Sequence, residues 1–143
     1  MCGKLWGKVV TVILALLIIM PVCAMTGCSG SIEPDNKTSV DYTVVENADL
    51  PEELRKLIES KKDKVMRLTY TTKDYTYVVA GYGTRETSGY SIKVNDVYTG
   101  DNALYIDLNL IGPAAGEAVN EVDTYPVIVL KMERREESVV FKM

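Results

Sequence analysis

The sequence predicts an α+β to mainly β domain: a small antiparallel sheet, barrel- or sandwich-like, with one covering N-terminal helix. Three observations predict it. From Lys64 onward the apolar residues recur at every second position in successive short runs, the period of half-buried strands. A single stretch, Leu50, Leu54, Leu57 and Ile58, follows helical spacing instead. Turn chemistry such as Thr72-Lys73-Asp74 and Gly100-Asp101-Asn102 separates the runs. A length of 143 residues suits one domain.

The elements begin with an address. Lys4 and Lys8 precede an apolar run from Val9 to Ala24, broken only by Thr11 and Pro21. Its 16 positions fall short of the roughly 20 apolar residues of a membrane-spanning helix, so the run reads as a signal-peptide core. Met25-Thr26-Gly27-Cys28 then resembles a bacterial lipobox, in which the cysteine takes the lipid and becomes the new N-terminus. Residues 1–27 are thus expected to be a lipoprotein signal peptide. Acyl chains on Cys28 would partition into a bilayer at about 0.8 kcal/mol per buried methylene. The expected location is the cell membrane or envelope, on the extracytoplasmic side, with residues 28–40, rich in Ser, Gly, Asn and charge, as a tether. The globular domain is expected at 41–143.

Asp41 to Val45 alternates weakly, as a first strand would. Asp49 and Glu52 stand at capping-box spacing around Pro51, which predicts a helix start there. Glu52, Glu53 and Glu59 begin the polar face, and Lys61 and Lys62 suit the negative end of the helix dipole. Strands follow over Val65–Tyr70, Tyr75–Tyr82 and Tyr90 onward, with Asn95-Asp96 predicted as a bulge because Val97 resets the alternation. Leu104, Ile106, Leu108 and Leu110 mark the clearest strand. The stretch Ile111–Asn120 is loop by composition, Val127–Met132 is apolar on both faces like a central strand, and Ser138–Phe141 adds an edge.

Composition limits the chemistry. There is no histidine, which excludes Ser-His-Asp and Cys-His catalysis, histidine-ligated zinc or haem, and a histidine pH switch. Removal of 27 residues leaves 116, with 14 basic side chains against 20 acidic ones, net −6. Such a domain does not attract phosphate backbones, and Lys61-Lys62 and Arg134-Arg135 are each followed closely by acids, so nucleic acid is not an expected partner. No cofactor and no metal are expected. Glu117, Glu121 and Asp123 are the carboxylates that could serve general acid-base chemistry, but acids at such spacings are commonplace on an acidic surface, and no enzyme is expected. The tyrosines Tyr75, Tyr77, Tyr82, Tyr90, Tyr98 and Tyr105 are expected to be sheet packing.

One segment is dense in special residues: Ala80-Gly81-Tyr82-Gly83-Thr84-Arg85-Glu86-Thr87-Ser88-Gly89-Tyr90. Read structurally it is a hairpin loop, with glycines supplying positive φ or close approach, Thr87 and Ser88 satisfying turn amides and Tyr90 anchoring it. Read functionally, Tyr82, Thr84, Arg85, Thr87, Ser88, Gly89 and Tyr90 form a partner-binding loop, with Arg85 and Tyr82 as the main contacts.

The order Val78-Val79-Ala80-Gly81, Arg85, Thr87, Gly89-Tyr90-Ser91-Ile92, Pro113 and Thr124-Tyr125-Pro126-Val127 resembles the PrcB domain, named for the protease complex subunit PrcB. Ser88 stands where that family commonly has the first glycine of its turn. The resemblance covers residues 75–132 and implies a lipoprotein subunit that assembles with an exported subtilisin-type protease without being the protease itself. No catalytic residue carries over with it. A Thr-x-Gly-Tyr turn between strands also resembles the chagasin-type inhibitors of cysteine proteases, which makes protease inhibition the alternative reading.

Overall fold

The computed structural model describes residues 36–143, which fall in the unit Glu33–Met143. The expected signal peptide, the expected lipidation site Cys28 and the expected tether up to residue 35 lie outside the described residues. Eight strands follow in order: β1 (Thr38–Ser39), β2 (Thr43–Val44), β3 (Val65–Thr71), β4 (Tyr75–Tyr82), β5 (Ser91–Gly100), β6 (Ala103–Ile111), β7 (Val127–Glu133) and β8 (Ser138–Lys142). A helix, α1 (Glu52–Glu59), stands between β2 and β3.

The strands form two four-stranded sheets rather than one. Sheet I has the order β1-β5-β6-β8 and sheet II the order β2-β7-β4-β3. Neither closes into a barrel, so of the two forms expected the molecule takes the sandwich. It also departs from a purely antiparallel sheet, because β8 pairs parallel with β6. The end of the expected tether belongs to the folded domain: Thr38–Ser39 pairs with β5 and Val40 is buried. The chain then passes to sheet II, so the expected strand over Asp41–Val45 is only the two residues of β2.

The core between the sheets comprises Val78 and Ala80 of β4, Ile128, Leu130 and Met132 of β7, Val97 of β5 and Leu104, Ile106 and Leu108 of β6. Each set alternates at every second position, as strands require. The apolar-on-both-faces run of β7 has its reason here, because its other residues meet a second cluster. Val129 lies with Met66, Tyr77, Val79 and the helix residues Leu54 and Ile58 in that cluster. Burying Leu54 and Ile58 contributes about 1.5–3 kcal/mol each.

Two local expectations change. Asp49 does not cap α1: it belongs to a 3-10 turn, Asn47–Asp49, and Pro51 occupies the N-cap position without a side-chain cap. The cause is Leu50, held extended (φ −84°, ψ 149°) because it precedes proline, which separates the Asp49 carboxylate from the helix amides. In the β5–β6 hairpin the left-handed residues are Asp101 (φ 49°) and Asn102 (φ 67°), not Gly100. Both central positions of this two-residue turn must take positive φ to match the strand twist. The bulge falls where the alternation placed it, between Val94 and Asp96.

Candidate interaction surface

The segment 83–90 is not a hairpin loop. β4 lies in sheet II and β5 in sheet I, so it must cross between layers packed about 10 Å apart. The segment 112–126 makes the reverse crossing from β6 to β7 at the same end of the sandwich. The two crossovers are stitched together. Arg85 and Thr124 form an isolated antiparallel bridge, each backbone amide donating to the other's carbonyl at 2.8 Å. The Thr124 hydroxyl donates to the Thr87 carbonyl at 2.8 Å. The Ser88 amide donates to the Asn120 carbonyl at 3.0 Å, and the Asn120 amide returns to Ser88 Oγ at 2.9 Å.

Each residue of the segment has a definite place. Tyr82 ends β4 on the same face as Val78 and Ala80, and its hydroxyl is buried without a hydrogen-bond partner among the described residues. Burial pushes its phenol above the usual tyrosine range, with Arg67 pulling it down and Asp107 pushing it up. Gly83 has φ +73°, and a Cβ there would stand 3.2 Å from the Asp63 carbonyl oxygen, so the position requires glycine. Thr84 is exposed and gives both its amide and its hydroxyl to that same carbonyl, at 3.2 Å each.

Arg85, expected as a main contact, is half-buried. Its Nη2 donates to the Tyr82 carbonyl at 3.1 Å, its guanidinium carbon lies 5.7 Å from the centre of the Tyr90 ring, and its Nε is buried without a partner among the described residues. Tyr90 packs in turn on Gly112, where a Cβ would come within 3.2 Å of the ring. Gly89 has φ +90°, and a Cβ there would stand 3.0 Å from Pro113 Cβ and 3.4 Å from Val119. Ser88 satisfies backbone groups of Asn120 in the facing crossover rather than of its own turn, and Thr87 takes part through its carbonyl, which accepts the Thr124 hydroxyl.

What faces solvent overlaps the expected loop residues only at Thr84 and Gly89. Thr84, Glu86, Glu121 and Asp123 are exposed, and with them two apolar residues, Val122 at 50% and Tyr125 at 39% exposure. Lys62 Nζ lies 5.0 Å from the centre of the Tyr125 ring. Sequence reasoning singled out neither Val122 nor Asn120. No periodicity marks them, since they gain their role only when the second crossover is laid against the first. Of the three acids considered for catalysis, Glu117 accepts the Ala114 amide at 2.8 Å and so closes its own turn. Of the tyrosines expected to pack, Tyr98 and Tyr105 stack with centroids 5.0 Å apart and Tyr77 meets Tyr70 edge-on at 6.3 Å, whereas Tyr75 is exposed.

Residues 76–133 match the family model described as PrcB C-terminal, a span that runs from β4 through β7 and contains both crossovers. No curated protein and no solved structure matches the chain.

Proposed function

Because residues 76–133 match the family model described as PrcB C-terminal, we propose that this chain is a non-catalytic interaction subunit that contacts a partner protein through the surface of its two crossovers. The observation that carries the reading is the set of five hydrogen bonds between Arg85–Ser88 and Asn120–Thr124. Backbone groups paired in this way hold the loops in one conformation, so little ordering entropy is lost when a partner binds. The surface offers an aromatic and an aliphatic side chain, Tyr125 and Val122, amid polar neighbours, the composition of a small binding patch. Arg85, Tyr82 and Tyr90 act beneath it, setting the loop's shape, while Thr84, Glu86 and Gly89 lie at its rim.

In this reading the partner is an exported subtilisin-type protease that the subunit helps to assemble or stabilise, and lipid on Cys28 holds the pair at the envelope. Support comes from the family of the domain and from the Met25-Thr26-Gly27-Cys28 sequence.

The test is affinity recovery of the full chain from detergent-solubilised membranes, with identification of what travels with it. Val122→Asp combined with Tyr125→Ala is expected to reduce partner recovery about tenfold in a chain that folds normally. Undiminished recovery would overturn the surface, and a partner set without an exported protease would overturn the partner. Cys28→Ser is expected to abolish incorporation of labelled palmitate, and retained label would overturn the anchor.

A further inference from the structure

We infer that β3 is a strand-addition site for an extended, carboxylate-bearing segment of a partner protein. The inference is independent of the crossover surface. β3 is the outermost strand of sheet II and runs for seven residues, Val65–Thr71, against β4 on one side only. The hydrogen-bond phase shows which backbone groups remain open. The Thr72 amide donates to the Tyr75 carbonyl, and on β4's other side the Tyr82 amide donates to the Pro126 carbonyl. With the register pairing Thr71 to Thr76 and Val65 to Tyr82, both bonds set the same alternation. Met66, Leu68 and Tyr70 turn their backbone groups to β4, and Val65, Arg67, Thr69 and Thr71 turn theirs outward.

The side chains of the outward set are also uncovered. Met66, Leu68 and Tyr70 join the helix-side cluster, so Val65, Arg67, Thr69 and Thr71 project from the opposite face, and all four are exposed, Val65 at 62%. The residue after β8 reaches this strand at Arg67, whose Nε donates to Met143 Sδ at 3.3 Å.

Charge identifies the occupant. A hollow of about 400 Å³ beside β3 is lined by Ser60, Lys61, Lys64, Val65, Met66, Arg67 and Leu68. It contains three cations and no carboxylate, and none of the three forms an ion pair among the described residues. The opposite margin of the same sheet, at β2, is lined instead by Asp41, Glu46, Asp49 and Glu133 with Lys131 as its lone cation. An acidic extended segment is therefore drawn to β3 and repelled from β2. The same cations oppose pairing of one β3 with another, which is how edge strands avoid self-association. Main-chain bonds to four residues would supply affinity and alternate carboxylates the selectivity.

The experiment uses the full chain, isotope-labelled in detergent, with two capped peptides as probes: Thr-Glu-Val-Glu-Val-Glu-Thr and its counterpart with lysine for each glutamate. The acidic peptide is expected to shift the amides of Val65, Arg67, Thr69 and Thr71, and the lysine peptide to leave them unmoved. Lys64→Glu with Arg67→Glu is expected to weaken binding about tenfold, and added salt to weaken it as screening shortens the reach of the charges. Thr69→Pro removes an outward amide while sparing the ladder to β4, so binding is expected to vanish in a chain whose Met66 and Tyr77 amides keep their shifts. No shift at about millimolar peptide, equal response to both peptides, or unchanged binding by Thr69→Pro would each overturn the inference. So would β3 amides that move on dilution without peptide, which would make the occupant a second copy.

Discussion

Replacing Tyr82 with phenylalanine removes one buried hydroxyl and leaves the ring in place. That hydroxyl has no hydrogen-bond partner among the described residues. An unsatisfied buried polar group costs about 1–3 kcal/mol, so Tyr82→Phe is expected to stabilise the domain by about 1 kcal/mol at neutral pH. For a domain of this size the gain corresponds to a rise of about 4 °C in melting temperature. The pH dependence adds a second signature. Burial raises the Tyr82 phenol above its usual range, against the pull of Arg67 and with the push of Asp107. The unfolded chain releases this proton near pH 10, and the folded chain holds it to higher pH. Wild-type stability therefore falls as pH rises through the folded value, whereas the phenylalanine variant has no such component. The advantage of Tyr82→Phe should widen between about pH 8 and pH 11. Guanidinium unfolding followed by circular dichroism measures it, since the only tryptophan, Trp6, is outside the described residues. A variant less stable than wild type at pH 7, or an advantage that stays constant to pH 11, would refute the reasoning.

Gly83→Ala should destabilise by about 2–3 kcal/mol, combining a left-handed backbone with a Cβ 3.2 Å from the Asp63 carbonyl. Gly116→Ala, at φ +85° in open space, should cost about 1 kcal/mol, and equal losses for the two in denaturant titration would contradict the contact. Thr124→Val leaves the Thr87 carbonyl without its donor and should cost about 1 kcal/mol while speeding hydrogen exchange at the Ser88 amide; unchanged exchange would show that the crossovers are not coupled. Leu54→Ala, fully buried between α1 and sheet II, should cost about 2–5 kcal/mol by thermal denaturation, and a loss under 1 kcal/mol would mean that the helix is not held there.

Much of the secondary structure is legible along the chain. The strands β3 to β8 lie within a residue or two of their alternating runs, because a side-chain period of two is a local property that no distant contact has to supply. The bulge at Asn95 is legible for the same reason, as a single break in an otherwise regular alternation. The cap of α1 was not, since the spacing of Asp49 and Glu52 carries no information about Leu50, whose extended backbone breaks the motif. Nor was the pairing of β8. A strand's sequence states which faces it buries, not which neighbour it lies beside, and the parallel partner β6 is about 35 positions earlier in the chain.

The crossover loops show the division most clearly. Their glycines, hydroxyls and tyrosines stand out in the sequence, and Gly83 and Gly89 take the positive φ that glycine alone permits freely, whereas Gly81 in the same stretch does not. Arg85 illustrates the limit: composition alone favours it as an exposed contact, but its bridge to Thr124 and its approach to the Tyr90 ring place it half beneath the surface. The exposed apolar side chains of this surface are Val122, which lies beyond the stretch that composition marks as loop, and Tyr125, which the sequence offers only within the Thr124-Tyr125-Pro126-Val127 run.

The sequence by itself determined where strands and helix form, the absence of imidazole chemistry and the PrcB-like character of the central segment, all of which reside in residue identity and short-range spacing. Only the tertiary structure decided that the strands divide into two sheets, that two loops cross at the same end and bond to each other, and that one margin of sheet II is cationic and the other acidic. Those properties depend on residues tens of positions apart meeting in space, and the hydrophobic core that brings them together takes its shape from the whole chain at once.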